Sequence, residues 1–180
     1  AMRAGTAGSA VLGTIHGNSS TAVYERIVHD MGIPASSFVA TDVVAVAGLV
    51  RPGGSQRGLR RVLEVTEVAK SRGLGAFAPL VAYDAAADGL REAPGFAASE
   101  RIRAIADAWS IPYAAALENI RVRAAVREAL VEASRGRPEL LSAEWVSRAN
   151  AAYWNLVEEG RDGADLLAGW MEWFRGAVRG

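Results

Sequence analysis

The chain has 180 residues, about half of them hydrophobic, and its twenty acidic side chains balance twenty basic ones. That is enough apolar material for one sizeable domain or two small ones, and a net charge of zero gives no global field toward nucleic acid or an anionic membrane. The lack of cysteine excludes disulfides, thiolate chemistry and cysteine-based zinc sites, and two histidines argue against a histidine-rich metal site. With no signal peptide and no apolar run of about eighteen residues, a cytoplasmic protein is the expectation.

In chain order, residues 1–9 read as the tail of a helix and a Gly-Thr-Ala-Gly-Ser loop. Ala10, Val11 and Leu12 predict a buried strand over 10–15. The strand opens into Gly13-Thr14-Ile15-His16-Gly17-Asn18-Ser19-Ser20, after which 20–31 reads as a helix with Ser19 or Ser20 as its N-cap. The polar cluster thus falls where strand C-termini and helix N-termini converge, the usual ligand edge of an α/β fold. His16 offers a donor to an anion, and Thr14 and Asn18 add a hydroxyl and an amide. A solvated or structural histidine is the other reading. The helix is expected to bury Val23, Ile27 and Met31, with Gly32 as a left-handed cap and Pro34 opening a short helix, 34–41.

The β-branched run from Val43 predicts a strand to Val50, broken by Pro52-Gly53-Gly54-Ser55, and the alternation from Arg60 to Val68 predicts its hairpin partner. Arg51, Arg57, Arg60 and Arg61 cluster there without an acid. They read either as a solvated turn or as a contact with phosphate or a neighbouring subunit. Phe77 to Tyr83 is a third strand, which Pro79 restricts to an edge or a strand start, followed by a turn over 84–89 and a loop over 90–96.

From Ser99 the pattern is helical. Ser99 caps a helix with a stripe of Ile102, Ile105, Ala106 and Trp109. A long helix over 112–134 carries apolar residues on two sides and is expected to be covered on both. Ser142 caps a helix over 143–159 with Trp145, Ala149, Ala152 and Leu156, and a last helix over 164–178 carries Leu166, Leu167, Trp170, Trp173, Phe174 and Val178. This aromatic stripe reads as core, with a docking or membrane-surface face as the alternative. Together these helices predict a C-terminal α-bundle.

Several landmarks recur in one order: the box Gly13-Thr14-Ile15-His16-Gly17-Asn18-Ser19, the pair Glu25-Arg26, Gly32-Ile33-Pro34, the apolar strand from Asp42, and a basic hairpin closing on Arg60-Arg61-Val62 and Val65-Thr66-Glu67. On these, residues 2–67 resemble the archaeal branch of the type II/IV secretion ATPases, the motors of archaella, type IV pili and secretion pseudopili. Beyond Phe77 the resemblance is weaker, resting on Asp84, a Ser-Glu helix start and an arginine-rich helix.

The resemblance implies an α/β fold. The C-terminal part of a RecA-like P-loop ATPase core (His-box strand, helices, β-hairpin) would span 1–75, and a mainly helical C-terminal domain 76–180. It implies ATP hydrolysis in a homo-hexameric ring, powering filament assembly or protein secretion. It places that ring in the cytoplasm at the inner face of the cell membrane, beside a membrane platform protein and with no nucleic-acid partner. By the same resemblance Thr14, His16 and Asn18 lie at the γ-phosphate, and His16 is the catalytic position, sensing nucleotide state rather than acting as acid or base. Arg26, Arg60 and Arg61 become candidates for phosphate or intersubunit contact, and none of these positions is a metal ligand.

Lys70 is the only lysine, and no glycine precedes it at the spacing of a phosphate-cradling loop. ATP and Mg²⁺ would therefore be held mainly by an upstream part. The expectation is a fragment that lacks this loop and is inactive alone, or else a non-catalytic docking module of the same kind of machine.

Overall fold

A computed structural model of the chain describes residues 10–54 and 56–179. The fold is mixed α/β, and it divides into two compact units, Ala1–Arg103 and Ala104–Gly180. Among the described residues no helix is long and apolar enough to cross a membrane.

The first unit begins with α1 (Ser20–Glu25), which continues as a π-helical turn, Arg26–Asp30. Its start follows from local chemistry: Ser19 is extended, and its hydroxyl accepts from the Ala22 N–H at 3.0 Å. At the other end the Met31 N–H donates five residues back to the Arg26 carbonyl at 3.0 Å, so the helix widens. The extra residue rotates Met31 off the stripe of Val23 and Ile27, and Met31 is exposed rather than buried as expected. Gly32 then takes a left-handed φ of 66°. A short helix α2 (Ala35–Phe38) follows Pro34 and buries Phe38.

Strands β1 (Val43–Val50), β2 (Leu59–Val68), β3 (Phe77–Asp84) and β4 (Gly89–Glu92) form one antiparallel sheet in that order. The β1–β2 hairpin matches the sequence pattern. Its register sets Val44 opposite Thr66 and Val46 opposite Glu64, so one face carries Val44, Val46 and Val68 toward Val23 and Phe38. Tyr24 closes this core, its ring edge-on to Phe38 at 5.0 Å and to Phe77 at 6.2 Å. Burying a side chain such as Phe38 contributes on the order of 1.5–3 kcal/mol. Pro79 is tolerated because β4 pairs only with Val81 to Asp84, leaving β3 without a strand neighbour on that side at the proline.

Two expectations fail here. Residues 10–15 are exposed coil, with Leu12 99% exposed, and not the His-box strand. A strand is held by its ladder, and among the described residues neither edge of the sheet pairs with this stretch. Residues 89–92, expected as the end of the turn and the start of the loop, instead pair with β3. The Asp84 carboxylate accepts from the Ala86 N–H at 2.9 Å and the Ala87 N–H at 3.3 Å, and this folds the turn that brings β4 back.

Helix α3 (Glu100–Ala108) is capped by Ser99, whose hydroxyl accepts from the Ile102 N–H at 3.1 Å. Ile102 and Ala106 are buried, whereas Ile105 and Trp109 are exposed. The second unit contains α4 (Tyr113–Ser134), α5 (Ala143–Glu158) and α6 (Gly163–Arg179). The α6 stripe is core, as expected: Trp170 is fully buried, stacks on Phe174 at 4.9 Å, and donates from its indole N–H to the Ala149 carbonyl at 3.0 Å. Helix α4 buries one face, through Ala116, Val122, Val126 and Leu130, while Ile120 and Val131 stay exposed. The expected cover on its second face is absent among the described residues, because α6 and the turn Pro138–Leu141 both pack on the first.

Candidate functional site

The polar loop ahead of α1 folds against the helix that follows it. Arg26 reaches back from the π-helical turn and donates from Nη1 to the His16 carbonyl at 3.3 Å. This closes an open pocket of about 310 Å³ lined by His16, Gly17, Asn18, Ala22, Glu25, Arg26 and Asp30. Three of the candidate residues, His16, Asn18 and Arg26, therefore share one site. Thr14 does not line it and lies exposed upstream. Gly17 is needed for close approach, since a Cβ there would sit 2.7 Å from a Val23 methyl.

The wall carries both signs of charge. His16, Asn18 and Arg26 can donate to phosphate oxygens, whereas Glu25 and Asp30 oppose an anion unless it arrives with its cation. Among the described residues no three His, Asp or Glu side chains converge as a metal site.

The N-terminus of α1 is not the free anion site that the strand-to-helix edge suggested. Glu64 of β2 accepts from the Ser20 N–H at 2.7 Å and from the Ser20 hydroxyl at 2.6 Å. Its carboxylate occupies the positive end of the helix where a phosphate would otherwise sit. Any anion must therefore be met by side chains. A second carboxylate on β2 does the same for α3: buried Glu67 accepts from the backbone N–H groups of Glu100 and Arg101. Neither role was read from the sequence. For Glu64 a signal was present, because the alternation set it on the row of Thr66 and Val68, and a carboxylate on a core-facing row must find donors.

At the hairpin the two arginines part company. Arg61 forms a fork on Asp88, with Nε to Oδ1 at 2.8 Å and Nη2 to Oδ2 at 2.7 Å, and the Tyr83 hydroxyl donates to the same Oδ1 at 2.8 Å. Hydrogen bonds from Arg61 and then Tyr83 hold the Asp88 carboxyl at about 2. Sharing with Asp88 raises both Arg61 and Tyr83 above their ordinary values. Arg61 is thus occupied within the sheet. Arg60, opposite Leu49 and exposed, points its charge to solvent.

No protein-family model matches the chain, and the search of curated proteins returned no match.

Proposed function

We propose that this chain is the nucleotide-sensing and assembly portion of an ATPase motor of the archaeal type II/IV secretion kind. Such a motor would be a hexameric ring with a RecA-like core, set against a membrane platform protein at the inner face of the cell membrane. The observation that carries the reading is the shared pocket of His16, Asn18 and Arg26, with Arg26 tied to the His16 carbonyl. The order of sequence landmarks around that pocket supports it.

In this reading His16 and Asn18 donate to the γ-phosphate, and Arg26 positions the loop that carries them. Glu25 and Asp30 favour a phosphate that comes with Mg²⁺, which supplies charge neutralisation when the nucleotide is bound. The exposed Val11, Leu12 and Ile15 support a stretch that pairs with a further strand of the ring. Alone, the chain holds no phosphate-cradling loop in its sequence and should not release phosphate from ATP.

The test is His16→Ala in a motor that carries this chain. Turnover falls by at least about tenfold, a loss of roughly 1.4 kcal/mol of transition-state stabilisation, while ADP affinity is unchanged because ADP offers no γ-phosphate. Unchanged turnover, or a parallel loss of ADP binding, overturns the reading.

A further inference from the structure

In the second unit α6 packs against both α4 and α5, whereas the backbones of α4 and α5 approach each other far less. Side chains bridge the seam at one end, where Asn119 donates to the Tyr153 hydroxyl at 2.7 Å. The rest is a groove of about 280 Å³. Val126 and Leu130 form its floor, and Val146, 45% exposed, stands on its rim. Arg123 and Arg127 line the α4 side, and among the described residues no acidic side chain lines any of it. The Arg123 guanidinium lies over the rings of Tyr153 at 5.2 Å and Trp154 at 5.1 Å, so its position is fixed by stacking. Arg127 has no acidic partner among the described residues.

We propose that this groove receives an acidic amphipathic helix of a partner protein, which completes a four-helix packing. The argument uses the second unit alone and is independent of the ATPase reading. Charge decides the sign of the occupant, because two unneutralised guanidiniums meet carboxylates and repel bases. Spacing decides its form: Arg123 and Arg127 stand one helical turn apart, about 6 Å along the axis, matching two Glu at the same interval on a facing helix. At about 280 Å³ the open groove lies at the small end of ligand sites. It suits inserted aliphatic side chains. Tyr, Trp and Arg together are also the residue types that anchor such contacts.

The test selects a displayed library of helical peptides, varied among Glu, Lys, Leu and Ser, against the full 180-residue chain. Binding of the winners is then measured by fluorescence anisotropy. The expected winners carry Glu pairs one turn apart beside Leu. Arg127→Glu weakens them by at least about tenfold, and so, independently, does Val146→Glu. Arg175→Glu on α6 leaves binding unchanged, and circular dichroism shows all three variants folded. Basic or neutral winners, no winners, or affinity indifferent to Arg127 overturns the proposal. Self-association of the chain that Arg127→Glu abolishes also overturns it, by assigning the groove to a second copy.

Discussion

Glu64, midway along β2, accepts from both the backbone N–H and the hydroxyl of Ser20, and so fastens the first turn of α1 to the sheet. Ser20 is buried, so neither donor has ready access to water in place of the carboxylate. Glu64→Ala leaves both unpaired and should cost about 2–3 kcal/mol. Glu64→Gln keeps an acceptor oxygen but loses the charge at the helix N-terminus, and should cost only about 1 kcal/mol. Urea unfolding of the two variants checks the order. Equal stability for the two would mean that the charge and the acceptor contribute nothing separable.

Thr66, the next residue on the same row, is 1% exposed, and its hydroxyl has no hydrogen-bond partner among the described residues. A hydroxyl desolvated without a partner opposes folding. Thr66→Val replaces it with a methyl of nearly the same shape, and should stabilise the chain by up to about 1 kcal/mol. The measurement is the urea midpoint at unchanged m-value. A destabilised Val variant would show that the hydroxyl is satisfied in solution.

The Arg61–Asp88–Tyr83 cluster predicts a pH dependence with a definite sign. Asp88 is held at about 2 when folded, below its unfolded value, so its contribution is complete above the ordinary carboxylate range and fades as pH falls through about 2. The carboxyl carbon shift of Asp88 should titrate at about 2, and in Arg61→Gln the midpoint should move up toward about 3.9. A normal midpoint in the parent chain, unmoved by the substitution, would refute the fork. The pairing also separates the hairpin arginines functionally. If the hairpin touches a neighbouring subunit, Arg60→Glu should weaken the ring, whereas Arg61→Glu should first disturb the β3–β4 tip.

What was legible in the sequence is what short-range chemistry decides. Ser19, Ser99 and Ser142 cap the helices expected of them, because each supplies an acceptor to an N–H three residues on. The β1–β2 hairpin follows from alternation, and the α6 core from its aromatic stripe. The misplaced Met31 and the missed β4 turn on local geometry, a π-helical turn and the Asp84 turn, whereas the other failures depend on partners distant in the chain. Three apolar residues before the His box signal a strand, but a strand forms only beside a neighbour. Trp109 and Ile105 continue the α3 stripe by spacing, yet no packed surface covers them among the described residues. At the site, the loop's own residues were legible as donors. That Glu64 would fill the helix N-terminus was not, since the two lie forty-four residues apart.

Arg26 gives the sharpest separation between a positioning residue and one that meets the ligand itself. Its bond to the His16 carbonyl is 3.3 Å long and exposed, so removing it should barely change stability. What it supplies is order: it ties a coil segment, held by no strand ladder, to the helix that follows. In a motor of the proposed kind, Arg26→Ala should lower turnover several-fold, less than the tenfold or so expected of His16→Ala. If Arg26 acts only by holding His16 in place, the double variant should be no worse than His16→Ala alone, because the loop it positions no longer carries the sensing group. If Arg26 contacts phosphate itself, the two losses should instead multiply. Turnover of the parent, both single variants and the double variant, measured alongside their ADP affinities, decides between them. A double variant that loses the product of the two effects would rule out action through His16 alone and leave Arg26 acting through Asn18 or on the phosphate itself.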